Sequence, residues 1–89
     1  MYNFSLSEDL KAILERLSKK DKKLNEQVMK KIEEIVNCYD VEHYKNLKYE
    51  MKEQKRVHIG HFVLIFRLEN EENEIKFIDF QHHDKVYKR

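Results

Sequence analysis

Tyr2, Phe4 and Leu6 alternate with Asn3, Ser5 and Ser7 near the start of the chain. A period of two marks a strand with one buried face, so a first strand is expected there. Ser5 followed by Glu8 resembles a capping box, in which hydroxyl and carboxylate satisfy the free amides at a helix start. Leu10, Ile13, Leu14 and Leu17 then recur at helical spacing, which predicts a helix from about Ser7 to Leu17. The charged stretch "SKKDKK" offers Ser18 or Asp21 as the next cap. After it Leu24, Val28, Ile32, Ile35, Val36 and Tyr39 repeat every three or four residues, the stripe of a second helix. The short connection makes the two helices an antiparallel hairpin, with Lys30, Lys31, Glu33 and Glu34 turned to water.

From Asp40 to Gln54 the pattern weakens. One helical turn capped by Asp40 is expected, with Val41, Tyr44 and Leu47 turned inward. Three β-rich segments follow, "KRVHIG", "HFVLIFRL" and "EIKFIDF", separated by Gly60, the only glycine, and by the polar turn "ENEEN". The expected order is strand, helix, helix, strand, strand, strand. This is an α+β fold in two layers, an antiparallel sheet with a helical hairpin on one face.

Alternation along these strands assigns their faces. If Val57, Ile59, Phe62, Leu64, Phe66, Ile78 and Phe80 point to the helices, then Arg56, His58, Val63, Ile65, Arg67, Phe77 and Asp79 point away. The helix-free face would gather Arg56, His58 and Asp79, and the stretch "QHHDKVYK" after Phe80 would bring His82, His83 and Tyr87 to its edge.

Composition narrows the class. With 89 residues, 40% hydrophobic and 39% charged, the chain has apolar mass for one core, and a single domain over 1–89 is expected. The net charge of +1 argues against bulk electrostatic wrapping of nucleic acid, so local distribution matters more. Between His43 and His61 five cations (Lys45, Lys48, Lys52, Lys55, Arg56) outnumber two anions, Glu50 and Glu53, whereas Glu69 to Glu74 holds four carboxylates. Arg67 is expected to pair with that acidic turn. One cysteine, Cys38, excludes an internal disulfide, and no apolar stretch is long enough for a leader or a membrane span, so a cytoplasmic location is expected. Cys38 itself reads as a small packing residue rather than a nucleophile.

The string "KRVHIGHFVLIFRL", with "IDFQHHDKVYK" after it, resembles the second half of the RelE/ParE toxin superfamily: a basic strand, a glycine, an aromatic-led apolar strand, and a closing histidine or arginine before Val-Tyr. The resemblance implies a RelE-like toxin domain. RelE-type members are endoribonucleases that cut messenger RNA in the ribosomal A site and are held in check by an antitoxin; ParE members poison DNA gyrase instead. By position, Arg56 and His58 fall where such toxins keep basic or histidine groups. His83 stands four residues before the closing aromatic, as in the YafQ branch, and Tyr87 is that aromatic. Val63 and Asp79 occupy two positions where the pattern commonly has arginine.

On this resemblance the expected function is ribosome-dependent cleavage of messenger RNA by acid-base transesterification, with no cofactor and no metal. Such chemistry needs a base for the 2′-hydroxyl, an acid for the departing 5′-oxygen and positive charge at the phosphate. Imidazole suits the first two because its ordinary pKa of ~6.5 lets both forms exist near neutrality. His58 is the expected base and His83 the acid, with Arg56 stabilising charge and Tyr87 stacking on a base. Lys48, Lys52, His82 and Lys85 are the expected RNA contacts. Expected partners are a cognate antitoxin, the ribosome and messenger RNA. Three other readings stay open: a zinc site using His58 and His61 with His82, His83 and Asp84; a catalytically weak module that chiefly binds an antitoxin; and a ParE-type gyrase inhibitor.

Overall fold

The computed structural model describes residues 2–38, 54–69 and 74–87, with the side chain of Tyr87 excepted. The helical turn expected at Asp40 lies outside the described residues, as do Lys48 and Lys52. The elements are β1 (Asn3–Leu6), α1 (Glu8–Lys20), α2 (Lys22–Val36), β2 (Lys55–Ile59), β3 (Phe62–Glu69), β4 (Glu74–His82) and α3 (His83–Tyr87). The α+β class and the expected order hold, with one element added at the end. Among the described residues no helix is long and apolar enough to cross a membrane.

Local chemistry sets the helix starts. The cap of α1 is Ser7 rather than Ser5, which sits inside β1: Ser7 Oγ accepts from the Leu10 amide at 3.0 Å. The same hydroxyl donates to the Ile78 carbonyl at 2.5 Å, tying the helix start to β4. Ser7→Ala removes both bonds and is expected to cost about 1 to 2 kcal/mol, measurable by urea denaturation. Asp21 caps α2 by accepting from the Leu24 amide at 3.1 Å. Ser18, the other candidate cap, instead donates to the Glu15 carbonyl.

The strands lie in the order β1-β4-β3-β2. β2, β3 and β4 form the expected antiparallel meander, but β1 runs parallel to β4, pairing Asn3 with Glu74 and Leu6 with Phe77. The sheet is therefore mixed, correcting the all-antiparallel expectation. A chain that leaves β1, makes two helices across one face and returns must come back to the sheet before its last strand can lie beside its first; alternation alone carries no sense of direction.

The core between helices and sheet contains Leu10, Val28, Ile32, Ile35, Leu64, Phe66, Ile75 and Phe77, all 2% exposed or less. Phe66 and Phe77 are each wholly buried, their ring centroids 5.7 Å apart. Burying an aromatic ring contributes roughly 2 to 3 kcal/mol, so this pair is a large part of what fixes the sheet beneath the helices.

Phe77, expected on the helix-free face, and Ile78, expected on the helical one, lie the other way round. The β3–β4 register pairs Ile65 with Asp79 but Phe66 with Phe77, leaving Ile78 as an extra residue on β4. Such a bulge shifts alternation by one. Phe77 consequently enters the main core, whereas Ile78 joins Val63, Ile65 and Val86 in a second apolar cluster on the other side of the sheet. Phe80, beyond the bulge, faces the helices as expected. Lys55 is only 5% exposed, so one cation of the basic stretch is drawn into the fold.

β2 and β3 meet at Gly60 and His61, a two-residue turn enclosed by the pair Ile59 and Phe62. Gly60 has φ +62°, a left-handed conformation that disfavours a Cβ, although the space around it is open. Gly60→Ala is expected to destabilise the fold by about 1 to 2 kcal/mol through backbone strain. A calorimetric midpoint lower by several degrees would show it. An unchanged midpoint would mean that the turn relaxes.

Candidate active site

β2 pairs Arg56 with Ile65 and His58 with Val63. Paired residues share a face, so Arg56 and His58 stand on the side away from α1 and α2, as alternation along β2 requires. β4 ends at His82, and the chain turns at once into α3. The His83 amide closes the junction by donating to the His61 carbonyl at 2.8 Å, while the Asp84 amide donates to His82 Nδ1 at 3.2 Å.

The junction sends the two adjacent histidines different ways. His83, the first residue of α3, comes beside His58, with ring centroids 5.7 Å apart and planes inclined by 35°. His82, the last residue of β4, pairs with Phe62 and points to the helical side. It meets Phe62 edge-on at 5.5 Å and stacks over His61 at 6.3 Å. Four of the five histidines thus form two pairs, one on each side of the turn end of the sheet. Of the residues expected at the site, the structure unites His58 with His83 and puts Arg56 on the same face, but separates His82 from them.

His58 and His83 are both exposed, which makes them accessible to a large ligand. A planar group between two rings requires about 3.5 Å to each, or ~7 Å in all, so nothing inserts in a 5.7 Å gap. A phosphodiester would instead lie across the rims of both rings. This geometry allows one imidazole to take a proton while the other gives one. Asp84 lies beside both members of the His-His pair, its carboxylate oxygens 3.8 Å from His82 Nδ1 and 3.7 Å from His83 Nδ1, within ion-pair range when either ring is protonated.

The two departures from the superfamily pattern have structural roles. Val63 is 0% exposed and packs with Ile65, Ile78 and Val86. The carboxylate of Asp79 is half-buried and engaged: Oδ1 accepts from the Phe80 amide at 2.9 Å and from Gln81 Nε2 at 3.2 Å. Val86 anchors α3 on the sheet, and α3 carries both His83 and Tyr87. Sequence reasoning missed Val86; its signal was a lone apolar residue three positions after His83. His61 as the partner of His82 left no signal short of the hairpin register.

Lys85 is exposed on α3. Arg67 finds its expected carboxylate in Glu69, whose Oε1 accepts from Nε at 2.9 Å. Among the described residues no three of His, Cys, Asp and Glu converge on a point that could hold a metal ion.

Comparison with known proteins places this geometry in context. The family model described as the ParE toxin of type II toxin-antitoxin system, parDE, matches residues 5–87. A Methanocaldococcus jannaschii protein that carries the provisional name toxin RelE4 is 42% identical over 90 residues, covering 100% of this chain and 94% of the relative. Among solved structures, the isolated Escherichia coli RelE toxin superposes with a TM-score of 0.75 at 16% identity, over 99% of this chain and 93% of that one. The toxin in the intact E. coli RelBE toxin-antitoxin complex gives 0.73 at 17% identity, over 92% of this chain and 96% of that one. At such identities the likeness to solved structures speaks for the fold.

Proposed function

The chain belongs to the ParE toxin family of type II toxin-antitoxin systems, within the RelE-like superfamily, and from that premise we propose that it is the toxin that cleaves messenger RNA on the ribosome. The observation that carries this reading is the pairing of two exposed imidazoles, His58 and His83, at 5.7 Å on a face that also bears Arg56. His58 takes the proton of the 2′-hydroxyl, whose oxygen attacks the adjacent phosphorus. A cyclic phosphate forms, the bond to the 5′-oxygen breaks, and His83 protonates that oxygen. Arg56 opposes the charge that accumulates on the phosphoryl oxygens. Tyr87 supplies a stacking surface for a neighbouring base, and Lys48, Lys52 and Lys85 hold the RNA by charge, whereas His82, turned to the helical side, takes no part. A cognate antitoxin is the natural protein partner, since a solved neighbour of the same fold is a toxin in complex with its antitoxin. The work is done in the cytoplasm, where the ribosome is.

Primer extension on messenger RNA from translating ribosomes tests the proposal: incubation with the protein should yield new 5′ ends within codons, and a zinc-selective chelator that leaves ribosomal magnesium in place should not suppress them. No cleavage at all would defeat it. One observation favours a second reading, a module that chiefly binds antitoxin: the positions of Val63 and Asp79, where the superfamily pattern has arginines, are taken up by packing and internal hydrogen bonds. Antitoxin binding without cleavage would support that reading, and loss of gyrase supercoiling activity would instead point to a ParE-type poison.

A further inference from the structure

A second concave site lies on the helix-free side of the sheet, at the end away from the imidazole pair. It has a volume of about 360 Å³. Arg67 of β3 and Lys76 of β4 are direct cross-strand partners at its rim, and both are about 40% exposed, at 39% and 43%. Ser5 of β1 pairs with Lys76 and continues the polar row across the sheet. Ile78, partly exposed on this side of the sheet, contributes apolar surface. Gln54 also lines the site, and its Oε1 is buried with no hydrogen-bond partner among the described residues.

This combination is chemically specific. A buried amide oxygen without a donor carries an energetic cost that a ligand donor relieves. Two cations side by side fit an oxyanion. Among the described residues Glu69 is the carboxylate in ion-pair range of them, its Oε1 lying 2.9 Å from Arg67 Nε and Nη2 and 3.9 Å from Lys76 Nζ. Glu69 engages the guanidinium through Nε and Nη2, and Arg67 retains N–H groups beyond these. A site that offers charge at its rim, an apolar wall and one acceptor for an N–H or O–H matches a nucleotide unit: phosphate, ring and exocyclic or ribose donor.

We propose that this pocket is a second subsite for the RNA strand, taking one nucleotide by its phosphate at Arg67 and Lys76 and by a base or ribose donor at Gln54 Oε1. The identity of the ligand as RNA rests on the function proposed above. Val63, opposite His58, and Arg67 are four residues apart on β3. At ~3.3 Å per residue the subsite is about 13 Å from the imidazole pair, roughly four stacked nucleotides away. The pocket therefore grips the strand beyond the cleaved bond and sets how long a substrate must be.

Two measurements on the intact protein test this. In the first, ¹⁵N-labelled protein is titrated with adenosine 5′-monophosphate and, separately, with inorganic phosphate. The nucleotide should shift the Gln54 side-chain amide together with the Ser5 and Lys76 backbone amides, and phosphate should shift Lys76 while leaving the Gln54 side chain in place. In the second, binding of labelled single-stranded RNA of about twelve and of about three nucleotides is followed against salt. Arg67→Gln combined with Lys76→Gln should weaken the longer RNA about tenfold, lower its log–log salt slope by about 1.4, and leave the shorter RNA unaffected. Shifts absent from all of these residues, or a double variant with the affinity and slope of the wild type, would overturn the subsite while ribosomal cleavage by the wild type still stood. Nucleotide binding at these residues without ribosomal cleavage would uphold the subsite and sink the nuclease.

Discussion

His83→Ala should cut the rate of ribosomal messenger RNA cleavage by about 10² to 10⁴-fold, the usual contribution of a positioned general acid. His58→Ala should do the same. The two losses should not add, because acid and base serve one concerted displacement and removing either leaves the other with little to do. Both side chains are exposed, so the substitutions should leave stability within about 0.5 kcal/mol and the RNA affinity nearly intact. His61→Ala is the matched control, as its ring stacks with His82 on the helical side, away from the reacting pair. Single-turnover cleavage on programmed ribosomes separates the cases. Full-rate cleavage by both His58→Ala and His83→Ala would remove the imidazole assignment outright.

Val86→Asp is expected to abolish ordered docking of α3 and to slow cleavage by about 10²-fold without touching the substrate. α3 has five residues, far too few to hold a helix in water unaided. It is held by Val86, 5% exposed against Val63, Ile65 and Ile78, and by the bond from the His83 amide to the His61 carbonyl. A carboxylate inserted among three apolar groups cannot remain there unpaired, so the segment must leave the sheet. His83 then loses its place beside His58, and a displacement of even ~1 Å in a reacting group is worth about two orders of magnitude. Val86→Ile, which keeps the apolar contact, should restore most of the rate. The loss should fall chiefly on kcat, with a smaller rise in KM because α3 also carries Lys85 and Tyr87. The main core lies on the opposite side of the sheet and should retain most of its stability. Cleavage at the wild-type rate by Val86→Asp would show that α3 has no positioning role.

The parts of this fold that announce themselves in the sequence are those fixed by periodicity over many residues. The stripes Leu10 to Leu17 and Leu24 to Val36 defined both helices, and alternation through "KRVHI" put Arg56 and His58 on the open face. Direction was not legible: β1 alternates identically whether it lies parallel or antiparallel to β4. The bulge was not legible either. In "KFIDF" three apolar groups occur within four positions, and either Phe77 or Ile78 could have faced the helices; only the register with Phe66 decides it. α3 was hidden because it is formed by a tertiary contact and not by propensity. For the same reason the His-His dipeptide read as a single unit, although the switch from strand to helix between its members sends them to opposite sides. Lys55 counted as a surface charge until β2 turned it inward.

The parallel seam between β1 and β4 also bears on how the protein acquires activity. Asn3 finds its partner in Glu74, 71 positions later, and the Ser7 hydroxyl that starts α1 is satisfied by a carbonyl of Ile78. Closing so long a span is slow compared with forming the helical hairpin or the β2–β3 turn, because its entropy must be surrendered before the contact returns anything. During synthesis the early helices therefore wait as a half-built layer until β4 is made. The imidazole pair cannot assemble before then, since one of its members follows β4 directly. On the function proposed above, a nascent chain is thus harmless to the ribosome that is making it, and competence arrives in one late, cooperative step.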